Sequence, residues 1–208
     1  MPLKDRPLLY YSLNAFQSHK DISEIILVCG MDDIEFCRQE FSQKYGFDKI
    51  SRIVAGGNER YESVYEGLKA LEDCDQVLIH DGARPFVSHE IIDRVLDALP
   101  QARACVVGMP AKDTIKLANT EGYVQETPPR ELLWIIQTPQ AFEYGLIRRC
   151  YDQIMENKPE DLKITDDAMV EEYAGNVPVK LIEGSYNNIK VTTPEDILLA
   201  EQILERKK

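Results

Sequence analysis

The sequence predicts an α/β fold, a mostly parallel sheet with helices on both faces. Three observations carry that prediction. Apolar runs at residues 25–29, 50–55, 77–79 and 103–109 have the length and composition of buried strands. Helical periodicity separates them, so the order is β-α-β-α-β, and parallel neighbours joined by helices follow from it. At 208 residues the chain is long enough to bury a core as one domain, 1–208, without disulfide staples.

Each element has its own signal. Met1-Pro2-Leu3-Lys4-Asp5 leads at once into a helix with Pro7 in its first turn and Leu9, Leu13 and Phe16 on one face. After the strand at 25–29, residues 32–45 read as helical. The strand at 50–55 ends in Gly56-Gly57-Asn58-Glu59-Arg60, where Asn58 is the expected N-cap of a helix turning Val64, Tyr65, Leu68 and Leu71 inward. The strand at 77–79 stops at His80-Asp81-Gly82, where polar groups and a glycine replace core residues. Ser88 then caps an amphipathic helix carrying Ile91, Ile92, Val95, Leu96 and Leu99.

The alternation breaks between residues 110 and 138. Strand-like pieces at 112–117, 122–127 and 133–137 are separated by Asn119-Thr120-Glu121-Gly122 and Thr127-Pro128-Pro129-Arg130. A hairpin arm at about 110–133 has too little apolar surface to stand alone, so it is expected to pack on a second subunit. A helix at about 143–157, a polar loop with Lys158-Pro159-Glu160-Asp161, and a helix capped by Thr165-Asp166-Asp167 follow. Residues 178–183 and 188–192 read as the last strands. Thr193-Pro194-Glu195-Asp196 opens the final helix.

Composition narrows the function. With 24 Lys+Arg against 36 Asp+Glu, the net charge of −12 argues against nucleic-acid partners. Five cysteines with no Cys-x-x-Cys pair suit reduced, mostly buried thiols in the cytoplasm. No signal peptide or membrane-length apolar run is evident, so the expectation is a soluble cytoplasmic protein.

The polar residues that follow strands suggest chemistry. In open α/β sheets ligands bind beyond the carboxyl ends of strands. Gly57, Asn58 and Arg60 follow one strand, and Asp81, Gly82 and Arg84 follow another. Lys112 and Thr114 lie on the arm, Arg130 at its base, Thr138 after the strand beyond it, and Lys190 in the last strand. A Gly pair ahead of a helix brings backbone amides to a phosphate or base edge, although it is more often a plain turn. His80 reads as structural, Asp166 and Asp167 as complements to a helix dipole. No zinc spacing, Walker A loop, Gly-x-Gly-x-x-Gly or Ser-His-Asp order is present. The residues alone reach a phosphate-binding α/β enzyme of unstated substrate.

An ordered set of motifs goes further. Gly57-Asn58-Glu59-Arg60-Tyr61-Glu62-Ser63, His80-Asp81-Gly82-Ala83-Arg84-Pro85, Asp113-Thr114, Pro129-Arg130, Gln137-Thr138-Pro139-Gln140, Thr165-Asp166 and Asn188-Ile189-Lys190-Val191-Thr192 closely resemble the 2-C-methyl-D-erythritol 4-phosphate cytidylyltransferases of non-mevalonate isoprenoid biosynthesis. The resemblance implies a Rossmann-like nucleotidyltransferase that moves CMP from CTP to methylerythritol phosphate and releases pyrophosphate. By that analogy Gly57, Asn58, Arg60, Ser63, Asp81 and Gly82 bind CTP. Asp81, Arg84, Thr114, Arg130, Thr138, Thr165 and Lys190 bind the acceptor. Arg130 and Lys190 are the implied catalytic pair, placing the acceptor phosphate for in-line attack, with Thr114 and Arg130 reaching across a homodimer from the arm. Magnesium is the implied cofactor, held mainly by the CTP phosphates, and Asp81 is the one candidate protein ligand.

The family pattern also contains an opening strand and a Gly-rich loop that cradles the triphosphate, and Met1 matches a position inside that pattern. The expectation is a sheet short of a central strand, with weak CTP binding and little or no turnover in these 208 residues. Two alternatives stand beside the main reading. A ribitol 5-phosphate cytidylyltransferase shares the His-Asp-x-x-Arg-Pro and Thr-Pro-Gln motifs, but the Thr127 to Trp134 run and Thr165-Asp166-Asp167-Ala168 favour methylerythritol phosphate. The other alternative is a non-catalytic remnant that only dimerises.

Overall fold

The computed structural model describes residues 1–157 and 163–206. The expected loop at Lys158-Pro159-Glu160-Asp161 lies outside them. The chain opens with a two-rung antiparallel ladder of β1 (Pro2–Leu3) and β2 (Arg6–Pro7), not directly with a helix. Leu3 is fully buried there against Phe86 and Val191, which draws the first residues back onto the domain. α1 (Leu8–Gln17) follows and buries Leu8, Leu13 and Phe16. β3 (Ile25–Cys29) and β4 (Ile50–Ala55) pair in parallel. Between them the expected helix forms as continuous turns around α2 (Ile34–Cys37), flanked by tighter and wider turns.

α3 (Arg60–Lys69) starts one residue later than expected, with Glu59 and not Asn58 at its N-cap. The cause is Glu62, whose carboxylate reaches back to accept from the Asn58 and Glu59 amides. β5 (Gln76–Ile79), α4 (His89–Ala102) and β6 (Ala104–Pro110) come next. Ser88 caps α4 by accepting from the Ile91 amide, as its position predicts. The arm is β7 (Leu117–Ala118) paired antiparallel with β8 (Val124–Glu126).

β9 (Trp134–Glu143) is longer than expected. It continues through Thr138 and Pro139, so Thr138 stands inside a strand and not after one. β9 also lies between β5 and β6 and is antiparallel to both, against the expectation of parallel neighbours there. The return from the arm explains its direction: the single 3-10 turn at Arg130–Leu132 is too short for the crossover that a parallel neighbour needs. α5 (Tyr144–Asn157), α6 (Asp167–Ala174), β10 (Lys180–Glu183) and α7 (Pro194–Arg206) complete the chain. Residues 188–192 form no strand. Their one backbone bond to the sheet side, Val191 N–H to Ala83 O at 2.8 Å, is too little for a ladder.

Two faces of the sheet carry separate cores. Cys105, Val107 and Ala141 pack with Phe16 and α4, while the alternate residues Ala104 and Phe142 pack with Leu68, Ile147 and Tyr151. That is the period of a sheet covered on both sides. The sheet itself comes in two main pieces. One is β3-β4, the other the order β10-β6-β9-β5. Between β3 and β5 lies an opening of about 1670 Å³. All five cysteines are free, and Cys37, Cys105 and Cys150 are buried. Among the described residues no helix is long and apolar enough to cross a membrane.

Candidate active site

The carboxyl ends of β4 and β5 meet over one cluster of charges. Arg60, the first residue of α3, donates through Nε to Asp81 Oδ1 at 3.0 Å, just beyond β5. Its two terminal nitrogens donate to Asp167 Oδ1 and Oδ2 at 3.0 and 2.8 Å. Lys190 Nζ sits 2.8 Å from Asp81 Oδ2. Two cations therefore share Asp81, one on each oxygen.

Burial pushes the Asp81 carboxyl up, but the hydrogen bond from Lys190 and the charges of Arg60 and Lys190 outweigh it and hold it below the usual carboxylate range. For Arg60, burial works against the charge. The Asp167 and Asp81 carboxylates more than offset this and raise its pKa above the ordinary arginine value.

Asp167 is fully buried and also accepts from Tyr151 Oη at 2.6 Å. Buried Gln140 fixes the start of α6: its Oε1 accepts the Asp167 and Ala168 amides at 2.9 and 2.8 Å. Its Nε2 donates to Asp166 Oδ2, while Asp166 Oδ1 caps the helix by accepting the Met169 amide. Asp166 thus does what its position at a helix start suggests. Asp167 is more than a complement to the helix dipole, because it anchors Arg60.

A second network holds the loop after β5. The Asp81 amide donates to Thr138 Oγ1 at 3.1 Å, and Thr138 lies 3.0 Å from His80 Nδ1. His80 Nε2 lies 3.0 Å from the Arg84 carbonyl, which can only accept. This assigns the proton to Nε2 and leaves Nδ1 to accept from Thr138. Burial pushes the His80 ring down to about 4, the neutral state this network needs. His80 is structural, as its sequence context suggests.

Arg60, Asp81, Arg84, Thr138, Thr165 and Lys190 line a pocket of about 280 Å³. Arg84 is tied through Nη1 to Asn188 O at 2.9 Å and Nη2 to Ile136 O at 3.3 Å. Among the described residues its buried Nε has no hydrogen-bond partner. Burial lowers the pKa of Arg84. Thr165 is exposed at the rim, and Lys190 stays nearly half exposed. Six of the expected site residues are therefore together.

Others stand apart. Gly57 and Ser63 border the large opening, where the Gly57 amide donates to Ser63 Oγ at 3.1 Å. A Cβ on Gly57 would run into Glu62, so this close turn requires glycine. Gly82 lines the same opening. Asn58 is exposed beside it. Thr114 and Arg130 are exposed on the arm and do not line the pocket. Arg130 donates to the Lys112 carbonyl at 3.2 Å.

The pocket offers one carboxylate with both oxygens already paired, plus Asp166 at its rim. Among the described residues the one grouping of three metal-capable side chains is His19, Asp21 and Asp93, none of which lines it. This donor set cannot hold magnesium alone. It fits magnesium arriving on substrate phosphates and touching one protein carboxylate. Sequence reading missed Asp167, Gln140 and Tyr151 as supports of the site.

Cationic side chains and an anchored carboxylate at the carboxyl edge of an α/β sheet are the equipment of phosphoryl-group chemistry without a covalent nucleophile. Comparison with known proteins agrees, and the protein is a nucleotidyltransferase. The sequence profile of the 2-C-methyl-D-erythritol 4-phosphate cytidylyltransferases matches residues 1–206. The relative of that name from Clostridium botulinum (strain Loch Maree / Type A3) is 50% identical over 207 residues, 99% of this chain and 88% of its own length. The one from Clostridium kluyveri (strain NBRC 12016) is 48% identical over 206 residues, 99% and 87% of the two chains. Among solved structures, the 4-diphosphocytidyl-2C-methyl-D-erythritol synthase of Anaerococcus prevotii DSM 20548 superposes with a TM-score of 0.89 at 38% identity, covering 99% and 88%. The Thermus thermophilus cytidylyltransferase gives 0.81 at 31% identity, covering 98% and 92%. This chain belongs to the 2-C-methyl-D-erythritol 4-phosphate cytidylyltransferase family.

Proposed function

We infer that this protein transfers CMP from CTP to 2-C-methyl-D-erythritol 4-phosphate and releases pyrophosphate, as a cytoplasmic homodimer that works with magnesium. The observation that carries this reading is the sharing of Asp81 by Arg60 and Lys190 over a pocket lined by Arg84 and Thr138. A phosphate oxygen of the acceptor attacks the α-phosphorus of CTP. The bond from that phosphorus to the bridging oxygen breaks, and pyrophosphate leaves with the electron pair. Such transfers depend on positioning and charge neutralisation.

Each residue then has a role. Lys190 releases part of its hold on Asp81 and orients the acceptor phosphate, with Arg84 and Thr165 lining the acceptor side. Arg60 keeps Asp81 ionised and aimed at the ribose and acceptor, because Asp167 fixes the guanidinium from behind. Gly57, Asn58, Ser63 and Gly82 face the cytidine. Asp81 is the protein residue that would help the CTP phosphates hold magnesium, which when bound would neutralise phosphate charge. Arg130 and Thr114 act from the partner subunit. Their exposure, and that of Leu117, Tyr123, Val124 and Leu132 around them, supports an arm that packs on another copy.

Pyrophosphate release with CTP, magnesium and either methylerythritol phosphate or ribitol 5-phosphate tests the reading. The expected result is turnover that needs methylerythritol phosphate. Preference for ribitol 5-phosphate overturns the acceptor. No release with either, from folded chain, favours the non-catalytic remnant.

A further inference from the structure

We propose that Asn188 is the positioning residue of Lys190 and holds its ammonium on Asp81 from behind the pocket. The use of that hold in catalysis rests on the cytidylyl-transfer reading. Lys190 needs such a support. Residues 188–192 form no strand, so no ladder fixes them. A lysine side chain has much rotamer freedom to lose, and nearly half of this one is exposed. Its Nζ nevertheless stands 2.8 Å from Asp81 Oδ2.

Two buried neighbours bracket it. Val191, on one side, packs with Leu3 and Phe86, and its amide donates to Ala83 O at 2.8 Å. Asn188, on the other, is fully buried and tied to β9 by its side chain. Asn188 Nδ2 donates to Thr138 O at 2.9 Å and to Gln137 Oε1 at 3.3 Å. Gln137 completes the joint. Its Nε2 donates to Ser185 O at 2.8 Å, and its Oε1 accepts the Ser185 amide at 3.4 Å. A Cβ on Gly184 would run into that same Oε1, so the turn leaving β10 closes directly on Gln137. Arg84 uses the segment too, donating through Nη1 to the Asn188 carbonyl. Gln137 lines the pocket and Asn188 does not, so Asn188 acts through the residues it holds.

The choice of an amide is informative. Among the described residues two buried side-chain polar atoms lack a hydrogen-bond partner, Asn188 Oδ1 and Arg84 Nε, and both belong to this joint. A buried amide with an unpaired oxygen costs stability that an apolar side chain would not. What an apolar side chain cannot supply is a donor set between two oxygens of β9. Placement therefore explains the amide better than stability does. It fixes the backbone two positions before Lys190, where a ladder would otherwise be needed.

The test labels lysines with acetic anhydride and reads Lys190 against the exposed Lys20 by mass spectrometry, so it needs no turnover. Asn188→Ala is expected to raise the labelling of Lys190 about threefold, the scale of losing a half-exposed ion pair. Phe41→Leu, a core change beneath β3 and β4 that leaves this joint intact, is expected to keep the ratio unchanged. If Asn188→Ala does not fold, Asn188→Leu keeps the bulk and removes the donor, with the same rise expected. An unchanged ratio, an equal rise in Phe41→Leu, or failure of both Asn188 variants to fold overturns the proposal. Pyrophosphate release separates this outcome from the wider reading. There Asn188→Ala should lower kcat/KM for methylerythritol phosphate roughly 10²-fold and leave the KM for CTP unchanged. Raised labelling with unchanged kcat/KM, or with no release from the unsubstituted chain, upholds the hold on Lys190 and overturns its role in transfer.

Discussion

Arg60 holds Asp167 by both terminal nitrogens, at 3.0 and 2.8 Å, across 107 positions of sequence. Asp167 is fully buried, and Arg60 is one-third exposed. The pair ties the start of α3 to the start of α6 and leaves Arg60 Nε for Asp81. One fully buried anion thus sets the direction of a guanidinium at the edge of the site.

Removing one partner strands the other. Arg60→Ala leaves the Asp167 carboxylate buried, and is expected to destabilise the fold by about 3–5 kcal/mol. The double variant Arg60→Met, Asp167→Leu should recover much of that loss, because no unpaired charge remains. Urea unfolding of the three chains measures both.

Lys190 separates chemistry from stability. Its side chain is 44% exposed, so Lys190→Gln should change stability by no more than about 1 kcal/mol. If it orients the acceptor phosphate, pyrophosphate release should fall by roughly 10²–10³-fold. An unchanged rate removes Lys190 from the mechanism.

His80 makes stability depend on pH. Its ring titrates near 6.5 when unfolded and about 4 when folded. Between those values the unfolded chain binds the extra proton, so stability is full above about 6.5 and lost as pH falls towards 4. The loss approaches about 3 kcal/mol at most. Chemical denaturation across this range should show the slope, and His80→Gln should reduce it. A slope unchanged in that variant assigns it to carboxylates instead.

The arm gives a mixing test. If Arg130 serves the partner's site and Lys190 its own, Arg130→Ala and Lys190→Ala are each inactive. Mixed after unfolding and refolding together, they should regain roughly a quarter of the wild-type sites, since half the dimers are mixed and each has one intact site. No recovery in a mixture that forms dimers places both residues in one subunit's site.

The sequence by itself determined the elements whose signals are local. The strands at 25–29 and 50–55, the Ser88 cap, the amphipathic face of α4 and the Thr193-Pro194 helix start all depend on neighbours within a few residues, and each forms where expected. The motifs around Arg60, Asp81, Thr138 and Lys190 marked residues that do converge. Tertiary structure decided everything that rests on distant partners. Asp167 reads as an ordinary acid at a helix start until Arg60 is brought to it from α3. Thr138 reads as a residue after a strand until β9 continues past it between β5 and β6. Residues 188–192 look like a strand but find one sheet-side bond in place of a ladder. Periodicity records which face a residue turns inward. It carries no record of which element stands opposite, and that pairing fixed the Asp167 anchor, the direction of β9 and the opening beside β3.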